Sequence, residues 1–192
     1  MTESVIWSPI SGGITAPSGF KAAGLSAGLK PSGKPDLSLL LAPEDAVCAG
    51  TFTTSVVRAA CVDLCADRLQ VTSGRVRAVV TNSGQANACT GDRGLADSLL
   101  ITEAVANRLG LSQDEVLICS TGVIGVPIVI DPLLAAVDPL VSSLAPDGGG
   151  AAAQAILTTD LVEKQIALEA VLGGRRVRIG GMAKGSGMIH PN

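Results

Sequence analysis

Arg75-Val-Arg-Ala-Val-Val-Thr81 and Val116-Leu-Ile-Cys-Ser120 are two strand-like runs that flank the most regular helix pattern of this sequence, residues 95–109. Each run is short, apolar and bounded by turn residues, which is typical of a β-strand. Gly110 is placed to end the helix between them. The helix pattern rests on residues that recur at helical spacing: Leu95, Leu99, Thr102, Ala106 and Leu109. A strand, a helix and a strand in succession predict an α/β (α+β-like) fold in which helices cover the sheets.

Further strands and helices are predicted on either side of this unit. Residues 165–172 and 175–180 are two runs separated by Gly173-Gly174, a spacing typical of a β-hairpin. Asp131-Pro132 has the pattern of a helix start, and Asp138-Pro139 is the expected break in that helix. The remaining predictions are strands over residues 20–29, 37–42, 47–53 and 56–64, helices over residues 133–144 and 151–157, and a capping box at residues 112–115.

The composition predicts an aliphatic core. Of the 192 residues 47% are hydrophobic, yet only Trp7, Phe20 and Phe52 are aromatic. Charged residues make up 16%, which is a low share for the surface of an isolated domain. The low charge indicates that a partner covers part of the surface. The length suits one large domain or two small ones, and we expect residues 1–192 to form a single domain.

The charge and hydropathy patterns argue against two classes of partner. The net charge is −3 and no basic stripe is visible, which argues against nucleic acid. No apolar run reaches the roughly 18 residues of a membrane span, so no membrane partner is expected. The first residues lack the pattern of a secretory signal, which predicts a cytoplasmic protein.

Five cysteines, an odd number, favour reduced thiols over a disulfide framework. Most of them stand among apolar residues, so we expect buried thiols that pack like small hydrophobic side chains. They are Cys48, Cys61, Cys65, Cys89 and Cys119. Cys61 and Cys65 lack the second cysteine pair or neighbouring histidine that a zinc site requires, and no metal site is predicted.

Four segments carry residues that could act on a ligand. The strand that runs into Thr121-Gly122 presents a hydroxyl and a backbone N–H, two donors that can stabilise an oxyanion; the alternative is a plain turn. Lys184 stands in the glycine-rich run Ala183-Lys-Gly-Ser-Gly187, which lacks the order of a phosphate-binding loop; the alternative is a solvated lysine. The hydroxyls of Thr158-Thr159-Asp160 more often satisfy local backbone groups. Residues 82–91 form a polar loop of the kind that often binds ligands.

The terminal stretch Gly180-Gly-Met-Ala-Lys-Gly-Ser-Gly-Met-Ile-His-Pro-Asn192 contains the only histidine of the sequence, His190. No carboxylate stands near it in sequence to orient the ring, and we do not expect it to act as a general base. The residues therefore predict an oxyanion turn and a lysine loop, but no pair of nucleophile and base.

These segments together resemble the ornithine acetyltransferases of the arginine pathway, the ArgJ family. Several motifs in a fixed order are more specific than any one of them alone, and they cover nearly the whole chain. The motifs that carry the resemblance are Gly12-Gly13-Ile14, Pro17-Ser-Gly-Phe-Lys21, Phe52-Thr-Thr, Val57-Arg-Ala-Ala60, Asn82-Ser-Gly-Gln-Ala-Asn-Ala88, Ser120-Thr-Gly-Val-Ile-Gly125, Thr158-Thr159-Asp160 and the terminal stretch 180–192.

The resemblance implies an ArgJ/DmpA-like self-processing fold with an N-terminal-nucleophile-like site. One precursor would cleave itself at an Ala–Thr bond shortly after Asn192, so that residues 1–192 are the α chain. The new N-terminal threonine of a separate β chain would be the nucleophile. The α and β chains would assemble into an α2β2 heterotetramer.

The resemblance also implies a reaction and the roles of four residues. Acetyl would pass from N-acetylornithine to the β-chain threonine and then to glutamate, in a ping-pong mechanism without a metal or prosthetic group. Thr121 and Gly122 would form the oxyanion hole, and Thr158 and Lys184 would bind substrate near the nucleophile. Whether acetyl-CoA also serves as an acetyl donor stays open.

Two other classes of function stay open as well. A related self-cleaving hydrolase or aminopeptidase would use the same kind of nucleophile with water as the acceptor. A non-catalytic binding module would use the glycine-rich terminal stretch to hold a ligand or a partner strand.

Overall fold

The computed structural model describes residues 5–186, and its larger sheet has four strands. These are β2 at Lys21–Leu25, β3 at Leu37–Leu41, β4 at Ala78–Gln85 and β5 at Val116–Val123. They lie side by side in the order β2-β3-β4-β5. The first three are antiparallel neighbours, whereas β4 and β5 run parallel. Because parallel strands point the same way, the carboxyl ends of β4 and β5 meet at one edge of the sheet.

Helices cover both faces of this sheet, as the sequence predicts. They are α1 at Ala60–Val71, α2 at Gly91–Leu109, α3 at Ile130–Ala135, α4 at Val137–Ser142 and α5 at Gly149–Ala155. α2 is the crossover that parallel strands require, since it leads from β4 to β5. It shares one core with α1, α3 and α4, whereas α5 packs against β2 and β3. Gly24 of β2 permits that packing, because a Cβ there would collide with the carbonyl of Ala151.

The core of the chain is aliphatic, as predicted. Within residues 5–186, every large hydrophobic side chain that is almost completely buried is a leucine, isoleucine or valine. The largest are Leu37, Leu39, Ile101, Ile118, Ile128, Leu133 and Leu140. Burial of each contributes roughly 2 kcal/mol before the cost of ordering it. Phe52, by contrast, stays partly exposed.

The second sheet has three strands in the order β1-β6-β7, with β1 at Ser8–Pro9, β6 at Lys164–Leu172 and β7 at Arg175–Ala183. β6 and β7 are antiparallel, which confirms the predicted hairpin. Gly173 has φ 55° and Gly174 has φ 75°. Two positive φ angles in a two-residue turn match the twist of the paired strands, and glycine adopts them without strain.

The strand prediction around Arg75 and the helix prediction at residues 95–109 are confirmed with shifted ends. β4 starts at Ala78 and extends to Gln85, into the segment predicted as a loop. α2 starts four residues early, at Gly91, and ends before Gly110, whose φ of 68° terminates it. The capping box is also confirmed, with Ser112 and Glu115 side chains both bonded to backbone at a 3-10 helix.

Two strand predictions are wrong, those over residues 47–53 and 56–64. The first segment is extended chain that pairs with no strand of the described structure, and its Val47 side chain is 81% exposed. The second enters α1, whose buried positions Cys61, Cys65 and Arg68 follow helical spacing. An apolar run this short does not distinguish a strand from a buried helix face.

The predicted helix over residues 133–144 is present as two short helices. α3 and α4 meet at Ala136, two residues before the expected break at Asp138-Pro139. Asp131-Pro132 lies within the first turn of α3 and not at its cap, which is Val129. Across residues 5–186, no helix is both long enough and apolar enough to cross a membrane.

Candidate functional site

Thr121 and Gly122 lie at the carboxyl end of β5, where the sheet pairs Gly122 with Gly84 of β4. Gly122 has φ 134°, a backbone conformation that side chains disfavour. A Cβ at this position would also collide with the Gly84 carbonyl group. The two glycines therefore let the strand backbones approach closely and fix the direction of the Thr121–Gly122 peptide.

A polar pair links β4 and β5 one residue before Thr121. The Ser120 hydroxyl donates to Asn82 Oδ1 over 2.6 Å, and the Asn82 Nδ2 amide donates to the Gln85 carbonyl over 2.9 Å. Asn82 is 1% exposed. Buried polar groups that are fully paired make the geometry around them rigid. Thr121 and Gly122 are thus part of β5, which continues to Val123 beyond the predicted end at Ser120, and they do not form a plain turn.

Lys184 follows directly after β7 and reaches the same region from the second sheet. Its Nζ donates to the Gly185 carbonyl over 2.8 Å and lies 3.7 Å from the Asp160 carboxylate. Only 26% of the side chain is exposed. The ammonium group is therefore held beside a carboxylate and does not extend freely into solvent.

Thr158 and Thr159 lie in the link between α5 and β6. The backbone N–H of Thr158 donates to Asp160 Oδ2 over 3.4 Å, a local turn within the Thr158-Thr159-Asp160 motif. The preceding carbonyl, of Leu157, accepts a hydrogen bond of 2.6 Å from Lys30 Nζ. The link is thus tied to the structure from both sides of Thr158.

Lys30 belongs to a loop between β2 and β3 that the sequence did not single out. The buried carboxylate of Asp36 shapes this loop by accepting three backbone N–H groups, from Ala27, Leu29 and Lys30, over 2.6 to 3.0 Å. Lys30 Nζ also donates to the Pro35 carbonyl over 2.7 Å. Burial lowers the pKa of Lys30. Because its ammonium group bonds two carbonyls, Lys30 connects the loop to the Thr158 link.

All four predicted site residues, Thr121, Gly122, Thr158 and Lys184, line one open cavity of about 630 Å³. The remaining lining residues come from the Lys30 loop, the ends of β4 and β5, the link between α5 and β6, and the segment after β7. They are Lys30, Pro31, Ser32, Gly84, Val123, Thr159, Gly185 and Ser186. The wall therefore combines hydroxyls, backbone N–H groups and ammonium groups from five segments that are separate in sequence. Such donors can bind carboxylates and stabilise developing negative charge.

The described part of this wall offers no pair of nucleophile and base. It contains neither cysteine nor histidine, and His190 lies outside the described residues, as does the rest of the stretch from residue 187 onward. Of the polar loop predicted at residues 82–91, only Gly84 reaches the cavity, and it does so from within β4.

The cysteines lie away from this cavity. Cys61 and Cys65 are buried on α1, as expected, and the Cys65 thiol donates to the Ile118 carbonyl over 3.2 Å. Burial raises the pKa of both thiols, so they remain protonated at neutral pH. The expectation of buried thiols is wrong for Cys89 and Cys119, which are exposed. Residues 5–186 contain no cluster of three His, Cys, Asp or Glu side chains that could hold a metal ion.

Comparison with known proteins connects this geometry to one family. The model of the ArgJ family matches residues 21–192. The arginine biosynthesis bifunctional protein ArgJ of Prochlorococcus marinus (strain MIT 9313) is 71% identical over 187 residues, which are 97% of this chain and 44% of that protein. The protein of the same name from Synechocystis sp. is 57% identical over 97% of this chain and 45% of its own length. This chain spans less than half the length of these curated relatives.

Two crystal structures have the same fold. The ArgJ protein of Bacillus halodurans superposes with a TM-score of 0.91 at 35% identity, over 99% of both chains. An ornithine acetyltransferase from Mycobacterium tuberculosis, complexed with ornithine, superposes with a TM-score of 0.89 at 44% identity, over 98% of this chain and 99% of the other. Similarity at this level over the full length establishes that the described chain has the fold of these proteins.

Proposed function

This chain belongs to the ArgJ family, and from that premise we propose that it forms half of the active site of a glutamate N-acetyltransferase. The enzyme moves acetyl from N-acetylornithine to glutamate in arginine biosynthesis. A single observation carries the proposal: Thr121, Gly122, Thr158 and Lys184 line one cavity, although they come from three segments far apart in sequence. The cavity volume of about 630 Å³ is ample for an acetylated amino acid.

In this proposal Thr121 and Gly122 stabilise the tetrahedral intermediate. β5 is an edge strand of the four-stranded sheet in the described chain, so its outer row of backbone groups has no partner strand there. The Thr121 hydroxyl and the Gly122 N–H therefore act as the oxyanion hole. Since the strand geometry fixes both donors before the reaction, little reorganisation is needed as charge develops on the substrate oxygen.

The nucleophile is supplied by a second chain. We place it on the N-terminal threonine of a β chain produced by self-cleavage of one precursor after the α chain, residues 1–192. Its own α-amine, with an ordinary pKa near about 8, acts as the base. The described wall contains no cysteine or histidine to serve as nucleophile or base, which supports a nucleophile from another chain.

Exposed apolar side chains beside the cavity support a covering partner. Val123, which lines the cavity, is 59% exposed, and its neighbour Ile124 is 61% exposed. Leu161, two residues after the lining residue Thr159, is 99% exposed. A cluster of exposed aliphatic side chains at a site edge is typical of a surface that another chain covers. We propose that the β chain covers it in an α2β2 assembly in the cytoplasm.

The reaction then proceeds in two transfers. The threonine oxygen attacks the acetyl carbonyl of N-acetylornithine, the oxyanion collapses, and ornithine leaves after its nitrogen takes up a proton. The amine of glutamate attacks the acetyl ester in turn and regenerates the threonine hydroxyl. Lys184 and Thr158 bind the amino-acid substrates in this scheme. The relatives are named bifunctional proteins, which supports acetyl-CoA as a further acetyl donor.

The test replaces Thr121 in the full-length gene product and measures acetyl transfer from N-acetylornithine to glutamate. Thr121→Val keeps the shape and removes the hydroxyl, so kcat is expected to fall ten- to about a thousandfold, the usual cost of one oxyanion donor. Thr121→Ser keeps the hydroxyl and is the matched control, expected to stay within about tenfold of the wild type. Unchanged turnover in Thr121→Val, with the fold verified by circular dichroism, would exclude the oxyanion role.

The acceptor distinguishes the alternative functions. If ornithine release from N-acetylornithine depends on glutamate, the protein is a transferase. If release runs at full rate without glutamate, water is the acceptor and the protein is a hydrolase. A gene with no threonine-initiated segment downstream of residue 192 would favour the non-catalytic binding module.

A further inference from the structure

Asp160 is a buried carboxylate at which three segments of the chain converge. Its side chain is only 3% exposed. The backbone N–H of Gly185 donates to Oδ1 over 2.6 Å, and Lys164 Nζ donates to the same oxygen over 2.8 Å. Lys184 Nζ lies 3.7 Å from Oδ2, and the Thr158 N–H donates to Oδ2 over 3.4 Å. One carboxylate thus contacts both residues proposed to bind substrate.

The backbone at Gly185 is built for this contact. A Cβ on Gly185 would collide with Asp160 Oδ1. A glycine is therefore required here because the chain passes directly against the carboxylate. The contact fixes the segment that leaves β7 immediately after Lys184, which is the segment that leads toward the proposed cleavage site.

The charge of Asp160 is well stabilised in the folded chain. The hydrogen bond from Lys164 holds the pKa of the Asp160 carboxyl far below its usual range, and the N–H groups of Thr158 and Gly185 act in the same direction. The carboxylate therefore stays ionised at neutral pH. A buried negative charge with this many donors orients the cations around it.

The two lysines on this carboxylate have different surroundings. Lys184 lines the cavity and is 26% exposed, whereas Lys164 lies outside the lining and is 45% exposed. Lys164 also donates to the Val162 carbonyl over 3.1 Å. Lys164 thus balances the charge of Asp160 from the solvent side, and Lys184 remains available to a ligand on the cavity side.

We propose that Asp160 is a positioning residue, whose carboxylate holds the Lys184 ammonium group and the Thr158 backbone at the cavity wall as one substrate-binding unit. This proposal rests on the proposed function for the roles of Lys184 and Thr158. Because the hydrogen bond from the Thr158 N–H is long, at 3.4 Å, Asp160 acts mainly through Lys184, and most of the effect of its removal should depend on Lys184. A carboxylate with a purely structural role would instead affect stability and leave substrate binding unchanged.

A double-mutant cycle in the full-length protein tests this dependence. Asp160→Asn keeps an oxygen for the Gly185 N–H and removes the charge that holds Lys184. We expect it to raise the Kd for ornithine, measured by calorimetry, and the KM for N-acetylornithine by about tenfold each, with a smaller change in kcat. In a Lys184→Met background the same change should alter the Kd by less than about twofold, since neighbouring groups that act together are not additive.

Two further variants separate positioning from folding. Lys164→Met removes the other cation on the same carboxylate and should leave the Kd and KM within about threefold of the wild type. Gly185→Ala displaces the carboxylate without changing its charge and should raise the Kd for ornithine in the same direction as Asp160→Asn. Thermal unfolding of each variant reports its stability independently.

The outcomes are distinguishable from failure of the proposed function. A wild-type protein that binds ornithine but transfers no acetyl would refute the proposed reaction. The double-mutant cycle, measured by the Kd for ornithine, would still test the role of Asp160. Additive effects of Asp160→Asn and Lys184→Met on the Kd would overturn the proposal, as would a lowered melting temperature with unchanged Kd and KM. If Asp160→Asn does not fold, a folded Gly185→Ala protein with wild-type Kd would overturn it as well.

Discussion

The two sheets of this chain differ in how completely they are covered. The strands of the four-stranded sheet pack between helices, and Ile118 of β5 is 2% exposed. In the hairpin of the three-stranded sheet, Ile166 of β6 is 59% and Ile179 of β7 is 51% exposed. Small apolar residues of β6, Ala167 and Ala170, are buried, but the large side chains of the hairpin are much less enclosed by the described residues than those of the four-stranded sheet.

The cavity lies where the covered sheet meets the uncovered one. β5 brings Thr121 and Gly122 from the covered side, and β7 leads to Lys184 on the uncovered side. The covered sheet sets the geometry of its donors by packing within the chain. On the hairpin side, the contacts of Asp160 with Gly185 and Lys184 hold the segment that follows β7. The two sides of the cavity therefore differ in how their donors are held, by strand pairing at Gly122 and by one carboxylate at Lys184.

The largest effect is expected at Gly122 of β5, which pairs with Gly84 of β4. Gly122→Ala forces a side chain onto a residue with φ 134° and into the Gly84 carbonyl. Strain and overpacking together should lower the free energy of unfolding by about 4 kcal/mol and abolish most acetyl transfer. Urea unfolding and transfer kinetics measure the two effects.

Gly125→Ala is the matched control for that substitution. Gly125 also has a positive φ, 78°, but a Cβ there would meet no atom within 4 Å. Its cost should be only about 1 kcal/mol, that of the backbone conformation alone. If Gly122→Ala costs no more than Gly125→Ala, the close approach of the two strand backbones does not constrain the turn.

A smaller effect should separate the two sheets directly. Ile118→Ala in β5 removes a buried side chain and leaves a cavity, so it should destabilise the protein by about 3 kcal/mol. Ile179→Ala in β7 removes a side chain that is already half exposed, and its cost should stay below about 1 kcal/mol. Both values come from urea unfolding of the same protein.

The ratio of the two losses in unfolding free energy, for Ile179→Ala and Ile118→Ala, also tests whether another chain covers the hairpin. If Ile179→Ala costs as much as Ile118→Ala, the hairpin is enclosed in the assembled protein by residues outside the described chain. In that case the contrast between the sheets belongs to the isolated chain only.

The parts of this fold that the sequence predicts are those decided by local pattern. The hairpin follows from Gly173-Gly174, and the end of α2 follows from Gly110, because each needs a backbone conformation that favours glycine. The strand predictions for the apolar runs at residues 47–53 and 56–64 were wrong, because β-propensity alone does not distinguish a strand from an exposed segment or from a helix face. The helical spacing of Cys61 and Cys65 was the signal that the strand prediction missed.

The candidate site is predictable only as separate motifs. Thr121, Thr158 and Lys184 were singled out from their local surroundings, and the structure places them on one cavity wall. Gly84 was predicted only as part of a ligand loop at residues 82–91 and lies within β4. Lys30 was missed, because its place at the cavity depends on a contact with the distant Leu157 carbonyl. The contact of Asp160 with Gly185 joins residues 25 positions apart in sequence, and no local pattern encodes that pairing.

The smallest predicted effect concerns the ion pairs of the uncovered hairpin. Glu169 of β6 lies 2.8 Å from Arg178 and 3.6 Å from Arg176, both on β7. These side chains are partly exposed, so Glu169→Gln should cost only about 0.5 kcal/mol at low ionic strength. Near 1 M salt, where the screening length falls to about 3 Å, that cost should largely vanish.

Asp138→Asn provides the matched pair on the covered side, since Asp138 lies 2.7 Å from Arg108 between α4 and α2 and both side chains are exposed. The two substitutions should have similar, salt-sensitive costs in urea unfolding, because exposure and not the identity of the sheet sets the strength of an ion pair. A cost at Glu169 that is several times larger and insensitive to salt would mean that another chain buries this pair. The hairpin would then be an enclosed interface in the assembled protein. Its side chains would be exposed only in residues 5–186 taken by themselves.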